Sequence, residues 1–166
     1  DLLCCTDEVD EFALRILDKY ADKPFLSVSD PKLDLATDEE KKVMEEKKTE
    51  AEPLLKRMEK ALDGKVAKVV LTDRLKSAAV CLTGDEGLSV EMYKVLSAMP
   101  NAKDEALPMH FTLELNPDHP VYAKLNALDD DTLKTYAALL YEQARLTAGL
   151  PPEDPNAFAA AVCGLM

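Results

Sequence analysis

The stretch MHFTLEL at residues 109–115 alternates strictly between apolar and polar side chains. Because successive residues of a strand point to opposite faces of a sheet, this pattern predicts a strand with one buried and one polar face, with His110 exposed. The β-rich runs at residues 66–72 and 78–83 predict two further strands, joined through residues 73–77 as a candidate hairpin. We therefore expect a small mixed sheet of about three strands.

Helical patterns surround these strands along the chain and make the predicted fold class α+β. The first is almost wholly charged and is expected to be a solvated helix rather than an interaction arm, because its Glu and Lys residues can pair along one face. Short breakers such as Gly64, Pro100 and Gly149 separate the others. The helices are predicted at residues 38–48, 51–62, 88–99, 118–128, 131–148 and 155–166.

The first 28 residues are predicted to form a strand, a helix and a second strand, with the strands at residues 2–5 and 25–28. A single βαβ unit cannot cover both faces of its strands. It is therefore expected to be the remnant of a larger α/β domain or a strand pair covered by the rest of the chain. A start inside a strand-like run also predicts a piece of a longer protein. We expect a domain boundary near residue 37, with residues 1–37 and 38–166 on either side.

Charge excludes several classes of partner. The 166 residues include 32 acidic and 20 basic side chains, for a net charge of -12. Neutralising phosphates requires an excess of Lys and Arg, so we expect no nucleic acid and no anionic membrane as partner. No apolar run reaches the ~20 residues that a membrane-spanning helix needs. The four cysteines lack the spacing of a disulfide framework, which predicts reduced thiols and a cytoplasmic location.

Catalytic motifs are missing from the sequence. It contains no GxGxxG or GxxxxGK[ST] loop, and its 5 glycines make a phosphate-binding loop hard to build. The two histidines, His110 and His119, are not spaced as a metal-ligand pair. Carboxylates are so frequent that their presence says nothing about acid–base chemistry. We therefore expect no catalytic, cofactor-binding or metal-binding residues in this chain and no enzyme activity.

The two C-terminal helices are apolar over more than one stripe. Such helices must be covered on several sides, so they pack in the chain's own core, against a preceding domain, or against a second chain. The sequence leaves these alternatives open. The residues concerned are Leu133, Tyr136, Ala137, Leu140, Tyr141, Ala144, Phe158, Val162, Leu165 and Met166.

The short helix at residues 88–99 carries one continuous apolar stripe. Methionine in such a stripe suits an adaptable binding surface, because its unbranched side chain repacks around different partners. Ordinary core packing against the sheet is the competing interpretation, and it is the one that the periodicity alone favours. The stripe consists of Leu88, Met92, Val95, Leu96 and Met99.

Several ordered strings resemble the heat-shock protein 90 chaperones, in particular their bacterial HtpG type. ELNPDHP at residues 114–120 is the most specific of them, and TDRL at 72–75 follows a strand as in that family. LLYEQA at 139–144, followed by EDP at 153–155, resembles the family's ending, and TDEVDE at 6–11 is similar to its TDPIDE. The resemblance runs over essentially the whole chain. The sequence does not end in the acidic MEEVD of cytosolic eukaryotic members. This favours a bacterial source, unless such a tail has been removed from the sequence.

The resemblance implies the end of a middle domain at residues 1–37 and a C-terminal dimerisation domain at 38–166. It implies that ATP and magnesium bind upstream, in domains of a longer parent protein. It also implies a homodimer through a four-helix bundle of the last two helices. The stripe at 88–99 would then contact unfolded or partly folded client proteins, although Leu88 and Tyr93 depart from the residues common in relatives.

Two other functions stay open at this point. The opening unit is also compatible with a fragment of a doubly wound α/β enzyme, which would place polar residues with perturbed pKa values in a pocket. A purely structural dimerisation module is the second alternative. Exposure of helix 88–99 would favour the chaperone over this module.

Overall fold

The computed structural model describes residues 2–7, 9–28, 37–84, 88–98 and 111–165. Helices and short strands alternate along these residues, which confirms the α+β class. In chain order the elements are α1 (Asp10–Leu17), β1 (Lys19–Tyr20), β2 (Lys23–Pro24), α2 (Asp38–Leu62), β3 (Lys68–Leu71), β4 (Val80–Gly84), α3 (Val90–Ser97), β5 (Phe111–Leu115), α4 (Pro120–Asn126), α5 (Asp130–Thr147) and α6 (Pro155–Gly164).

The main sheet is mixed and has the strand order β3-β5-β4. β3 runs parallel to β5, with Val69 opposite Leu113, and β4 runs antiparallel to β5, with Leu82 opposite Leu113. The predicted hairpin between β3 and β4 is therefore wrong, because β5 lies between the two strands. A parallel pair needs a long crossover, and the chain between β3 and β5 is long enough to supply one.

The central strand β5 is buried on both faces. All five of its residues are buried, including Thr112 and Glu114, which are 5% and 4% exposed. The predicted polar, solvent-facing side of this strand is therefore wrong for these two positions. The alternating pattern predicts exposure for these polar side chains. A buried polar group is tolerated when it has hydrogen-bond partners, and Glu114 has them in Arg74, Cys81 and Thr83. His110 and Met109 lie outside the described residues.

The core forms where α2 and α5 pack against the sheet. Leu54, Met58 and Leu62 of α2 are at most 2% exposed, and Leu113 and Leu115 of β5 are fully buried. The spacing of the α2 residues places them on one face of the helix, as the apolar stripe predicted. The charged first half of α2 and its apolar second half form one continuous helix of 25 residues.

The N-terminal residues form a helix and a small hairpin rather than a βαβ unit. Helix α1 is confirmed, but residues 2–5 and 25–28 are not strands; the strands are β1 and β2, which pair antiparallel. Leu2, Leu3, Leu26 and Val28 are all more than 60% exposed. A strand needs a neighbouring strand for its backbone groups, and neither run is part of a strand pair among the described residues, although the Phe25 N–H donates to the Asp18 carbonyl at 2.9 Å. The predicted linker at 29–36 lies outside the described residues, so the domain boundary stays a prediction.

Candidate functional site

The apolar stripe of α5 is buried in the core of its own chain. Five of the side chains predicted at a dimer interface are at most 6% exposed, and α5 packs against α2 and β4. A side chain that one chain already buries has no apolar surface to offer a second copy, so these residues are core positions in this structure. They are Leu133, Ala137, Leu140, Tyr141 and Ala144; Tyr136 is half-buried against the same core.

Helix α6 differs, because none of its residues is fully buried. Asp154 caps its first turn by accepting hydrogen bonds from the backbone N–H groups of Asn156 (3.0 Å) and Ala157 (2.9 Å). Of the predicted interface residues, Phe158 is half-buried, while Val162 and Leu165 are 40% and 48% exposed. Met166 lies outside the described residues. Helix α6 therefore leaves apolar side chains available for a further partner.

A groove of about 340 Å³ lies between α5 and α6. Its apolar lining comes from the outer side of α5 and from α6. Polar side chains of α5, of the N-cap residue of α6 and of Lys65, which follows α2, complete the lining. Residues 138 and 139 were not among the predicted interface positions, because the sequence does not reveal which side of a doubly apolar helix faces outward. The lining residues are Lys65, Lys134, Thr135, Ala138, Leu139, Glu142, Asp154, Ala157, Phe158 and Ala161.

Polar side chains fix the turn between α5 and α6. The Tyr141 hydroxyl donates to Glu153 Oε1 at 2.8 Å, and Lys65 Nζ donates to Glu153 Oε2 at 2.7 Å. Arg145 Nη1 donates to the Tyr141 hydroxyl at 3.1 Å, and its Nε donates to the Pro151 carbonyl at 3.0 Å. Burial raises the pKa of Tyr141 to about 12, and the hydrogen bond to Glu153 also raises it. Tyr141 therefore remains a hydrogen-bond donor at physiological pH.

Glu153 is held in its charged form. Burial raises the pKa of the Glu153 carboxyl, but the hydrogen bonds from Lys65 and Tyr141, together with the charges of Lys65 and Arg145, outweigh burial and bring that pKa below its usual value. The carboxylate joins α5 to the residues that follow α2. It does so immediately before the N-cap of α6.

Helix α3 is docked on the core at one side and partly exposed elsewhere. Ser89 caps the helix, accepting from the Met92 N–H at 3.1 Å and donating to Glu11 Oε2 of α1 at 2.6 Å. Met92 is 7% exposed, and the ring of Tyr93 meets Phe111 edge to face, with centroids 5.5 Å apart. Leu88, Val95 and Leu96 are half-buried, and Met99 lies outside the described residues. The predicted stripe thus includes one core residue and three partly exposed ones.

The strings ELNPDHP and TDRL meet in the structure. Glu114 pairs with Arg74, and Asn116 Nδ2 donates to the carbonyls of Leu75 (3.2 Å) and Ala78 (3.0 Å). These bonds hold the loop between β3 and β4 against the end of β5. No local sequence pattern marks this contact, since its partners are about 40 residues apart. These residues support the loop, and nothing in their contacts calls for a catalytic role.

Cys81 lies beside this ion pair and is not a reactive thiol. Its Sγ lies 3.8 Å from Glu114 Oε2, and burial, with the Glu114 charge, raises the pKa of the thiol to about 12. The thiolate is the nucleophilic form, so this thiol is inert near neutral pH. Within the described ranges, no group of three or more His, Cys, Asp and Glu residues is arranged to hold a metal ion. None of the helices in those ranges is both long and apolar enough to cross a bilayer.

Comparison with known proteins identifies the family of this chain. The family model described as Hsp90 protein matches residues 1–166. The chain belongs to the Hsp90 protein family. This confirms the resemblance that the ordered strings indicated.

Bacterial relatives named "Chaperone protein HtpG" match the whole chain. Those of Clostridium acetobutylicum, Shouchella clausii and Bacillus subtilis are 45%, 43% and 38% identical over 174, 169 and 169 residues. Each match covers 100% of this chain and 26–27% of the relative. The chain therefore spans about a quarter of the length of these curated relatives.

Proposed function

We propose that this chain is the dimerisation and client-contact region of an ATP-dependent molecular chaperone. Membership of the Hsp90 family and the chaperone names of the bacterial relatives support the chaperone part. The observation that carries the regional role is the exposed apolar surface of α6 beside the α5–α6 groove. ATP and magnesium bind in other domains of the parent protein under this proposal, and residues 1–166 bind neither. The site of action is the cytoplasm.

The dimer forms when α6 of each chain packs against α5 and α6 of its partner. Val162 and Leu165 supply apolar side chains that are 40% and 48% exposed in one chain. Fully burying an aliphatic side chain is worth about 1.5–3 kcal/mol, so covering the exposed part of each contributes roughly 1 kcal/mol. A two-fold interface counts every such contribution twice. The groove between the helices offers a concave apolar surface for the partner's α6.

Client binding uses the partly exposed side of α3. Leu88, Val95 and Leu96 keep part of their surface free while Met92 and Tyr93 hold the helix on the core. In a dimer this surface occurs twice, so one unfolded chain can bind both copies with the gain of a high effective concentration. The net charge of -12 favours clients that expose basic residues.

Sedimentation velocity of the 166-residue chain tests the dimer. The variant Val162→Asp places a charge on the exposed face of α6, and Val43→Asp makes the same change at a position of α2 that is 52% exposed. We expect a dimer for the unmutated chain and for Val43→Asp. Val162→Asp should be monomeric with an unchanged helical circular dichroism signal, because burying an unpaired carboxylate is costly. A monomeric unmutated chain at tens of micromolar, the order of ordinary weak affinities, contradicts the dimer.

ATP binding is tested separately by isothermal titration of the same chain with Mg-ATP. We expect no heat of binding, because the sequence carries neither a GxGxxG nor a GxxxxGK[ST] phosphate-binding loop. Saturable binding at micromolar nucleotide would place a nucleotide site within these residues and contradict this part of the proposal.

A further inference from the structure

The α5–α6 turn carries a set of polar groups whose contacts with one another neither the dimer surface nor the client surface accounts for, although Lys65 and Glu142 also line the α5–α6 groove. We call this set the turn clamp: the side chains of Lys65, Tyr141, Glu142, Arg145 and Glu153 with the Pro151 carbonyl. We propose that the turn clamp fixes the orientation of α6 on α5 and thereby sets how tightly a second copy of the chain binds. The first half of this proposal concerns one chain alone, and the second half rests on the proposed dimer.

The clamp connects three parts of the molecule at Glu153. Its carboxylate accepts from Lys65, which follows α2, and from Tyr141 of α5, and Arg145 Nη1 lies 3.3 Å from its Oε1. Its backbone N–H donates to Glu142 Oε2 at 3.2 Å, so the backbone just before α6 is held as well. The Tyr141 side chain that receives these contacts is 1% exposed. A fixed core residue therefore anchors the segment from which α6 begins.

Arg145 ties the clamp to the backbone of the turn. Its Nε donates to the Pro151 carbonyl at 3.0 Å, and its guanidinium lies 5.6 Å from the centre of the Tyr141 ring. Lys65 Nζ lies 5.5 Å from the same centre. The two cations and the acidic side chains of Glu142 and Glu153 balance one another around one aromatic ring. This arrangement fixes a direction for the chain as it enters α6.

Helix α6 needs such a clamp because its own packing is slight. No residue of α6 is fully buried, and Phe158 and Ala161 are only half-buried. A helix of 10 residues is marginal in water without tertiary contacts. Without the clamp, the docked position of α6 becomes one of several that the helix samples in a single chain.

This sampling lowers the affinity between copies. If only a fraction of single chains holds α6 in the position that binds, the dissociation constant rises by the inverse of that fraction. Both copies must be in the binding position, so a fall from full docking to about one tenth raises the dissociation constant up to about 100-fold. The interface itself would be unchanged by substitutions of Tyr141 and Glu153, since neither residue is among those that line the groove.

Two clamp variants and one control test the proposal. Tyr141→Phe removes the hydroxyl and keeps the buried ring, and Glu153→Gln removes the charge of a side chain that is 39% exposed. Glu52→Gln is the control, because it breaks a comparable exposed ion pair, Lys56 Nζ to Glu52 Oε1 at 2.6 Å, on α2. Each change is made in the 166-residue chain alone and again together with Val162→Asp, which keeps the chain monomeric.

Hydrogen exchange in the monomeric background measures the clamp directly. We expect amides of residues 158–164 to exchange about tenfold faster in Tyr141→Phe and Glu153→Gln, with amides of β5 unchanged. Glu52→Gln should match the parent at both places. A purely global loss of stability would speed exchange in β5 as well. Unchanged exchange in α6, or acceleration shared with β5, overturns the first half of the proposal.

Sedimentation of the chains that retain Val162 measures the second half. We expect the dissociation constant to rise about 10- to 100-fold in both clamp variants and to stay within twofold in Glu52→Gln. Faster exchange of α6 with an unchanged dissociation constant overturns this half. If the unmutated chain is a monomer, the proposed dimer fails and this half fails with it, whereas the exchange data still decide the first half.

Discussion

Helix α6 has a larger share of apolar residues than α5, which precedes it in the chain, yet α5 is the helix that is buried. Helix α5 buries Leu133, Ala137 and Ala144 at 0–1% exposure, whereas α6 has no fully buried residue. The difference follows from position, because α5 lies against α2 and β4 while α6 contacts α5 from outside. Apolar composition alone therefore does not separate a helix that the core buries from one that keeps an exposed apolar face.

The largest effect is expected from shortening a core residue of α5. Leu133→Ala should lower the free energy of unfolding by about 2–5 kcal/mol, because it leaves a cavity beside residues that cannot collapse fully. Urea denaturation in the monomeric Val162→Asp background measures this loss without a contribution from association. A loss below 1 kcal/mol would mean that Leu133 is not a core residue and would remove the contrast with α6.

Helix α3 combines both environments, so its two kinds of position should separate. Met92→Ser should cost roughly 2–3 kcal/mol of unfolding free energy, since Met92 is 7% exposed. Leu96→Ser should cost about 1 kcal/mol and weaken binding to a basic unfolded probe, reduced denatured lysozyme, by several-fold.

Fluorescence anisotropy of the labelled lysozyme measures the second effect, with Val43→Ser on α2 as the control for an exposed apolar residue. Intact probe binding in Leu96→Ser would place the client surface elsewhere. It would also favour the purely structural dimerisation module over a client-contact region.

A smaller effect on folding is expected from the same Leu→Ala change at Leu165, the C-cap residue of α6. Leu165 is 48% exposed, so Leu165→Ala should change the unfolding free energy of one chain by less than about 1 kcal/mol. Its effect should appear in the dimer dissociation constant, which we expect to rise about tenfold because the change occurs twice in the interface. The pair Leu133→Ala and Leu165→Ala thus tests the comparison with one chemistry. Equal losses of unfolding free energy would abolish it.

The smallest expected effect concerns pH. The pKa of Glu153 is lower in the folded chain than its ordinary value, so its contribution is complete above the unfolded pKa of about 4.5 and is lost as pH falls through the folded pKa. Exchange in α6, corrected for its intrinsic pH dependence, should therefore accelerate relative to β5 below about pH 4.5. Glu153→Gln should remove that relative change. A relative acceleration that persists in Glu153→Gln would assign it to another group.

The sequence predicted the elements of this fold better than their neighbours. Periodicity located the second half of α2, the three main strands and α6, because each carries a local pattern of apolar positions. It divided α2 into two helices, at 38–48 and 51–62, where the structure has a single helix. It failed for the β3–β4 pairing, because the residues of a strand do not indicate which other strand lies next to it in the sheet. It also failed for Glu114, whose burial depends on Arg74, 40 residues away.

The candidate site was predicted with the same limits. The sequence predicts that the apolar residues of α5 and α6 need cover. The structure confirms this for α5, whose stripe is buried within the chain, whereas the cover of α6 stays a prediction. Ala138 and Leu139 line the groove because α2 and β4 cover the opposite side of α5, and this depends on packing that no local sequence pattern records. The resemblance to the chaperone family implies a partner, and the structure shows which apolar side chains of α6 are left exposed.

Hydrogen exchange of the unmutated chain at two concentrations tests the central claim that α6 and the groove beside it, rather than the buried face of α5, receive the second copy. The concentrations should span ordinary dimer affinities, from about 1 μM to about 100 μM. We predict that amides of residues 158–164 exchange more slowly at the higher concentration, while amides around Leu133 and Ala137 are equally protected at both. Exchange in α6 that is independent of concentration, in a chain that sediments as a dimer at 100 μM, would contradict the account.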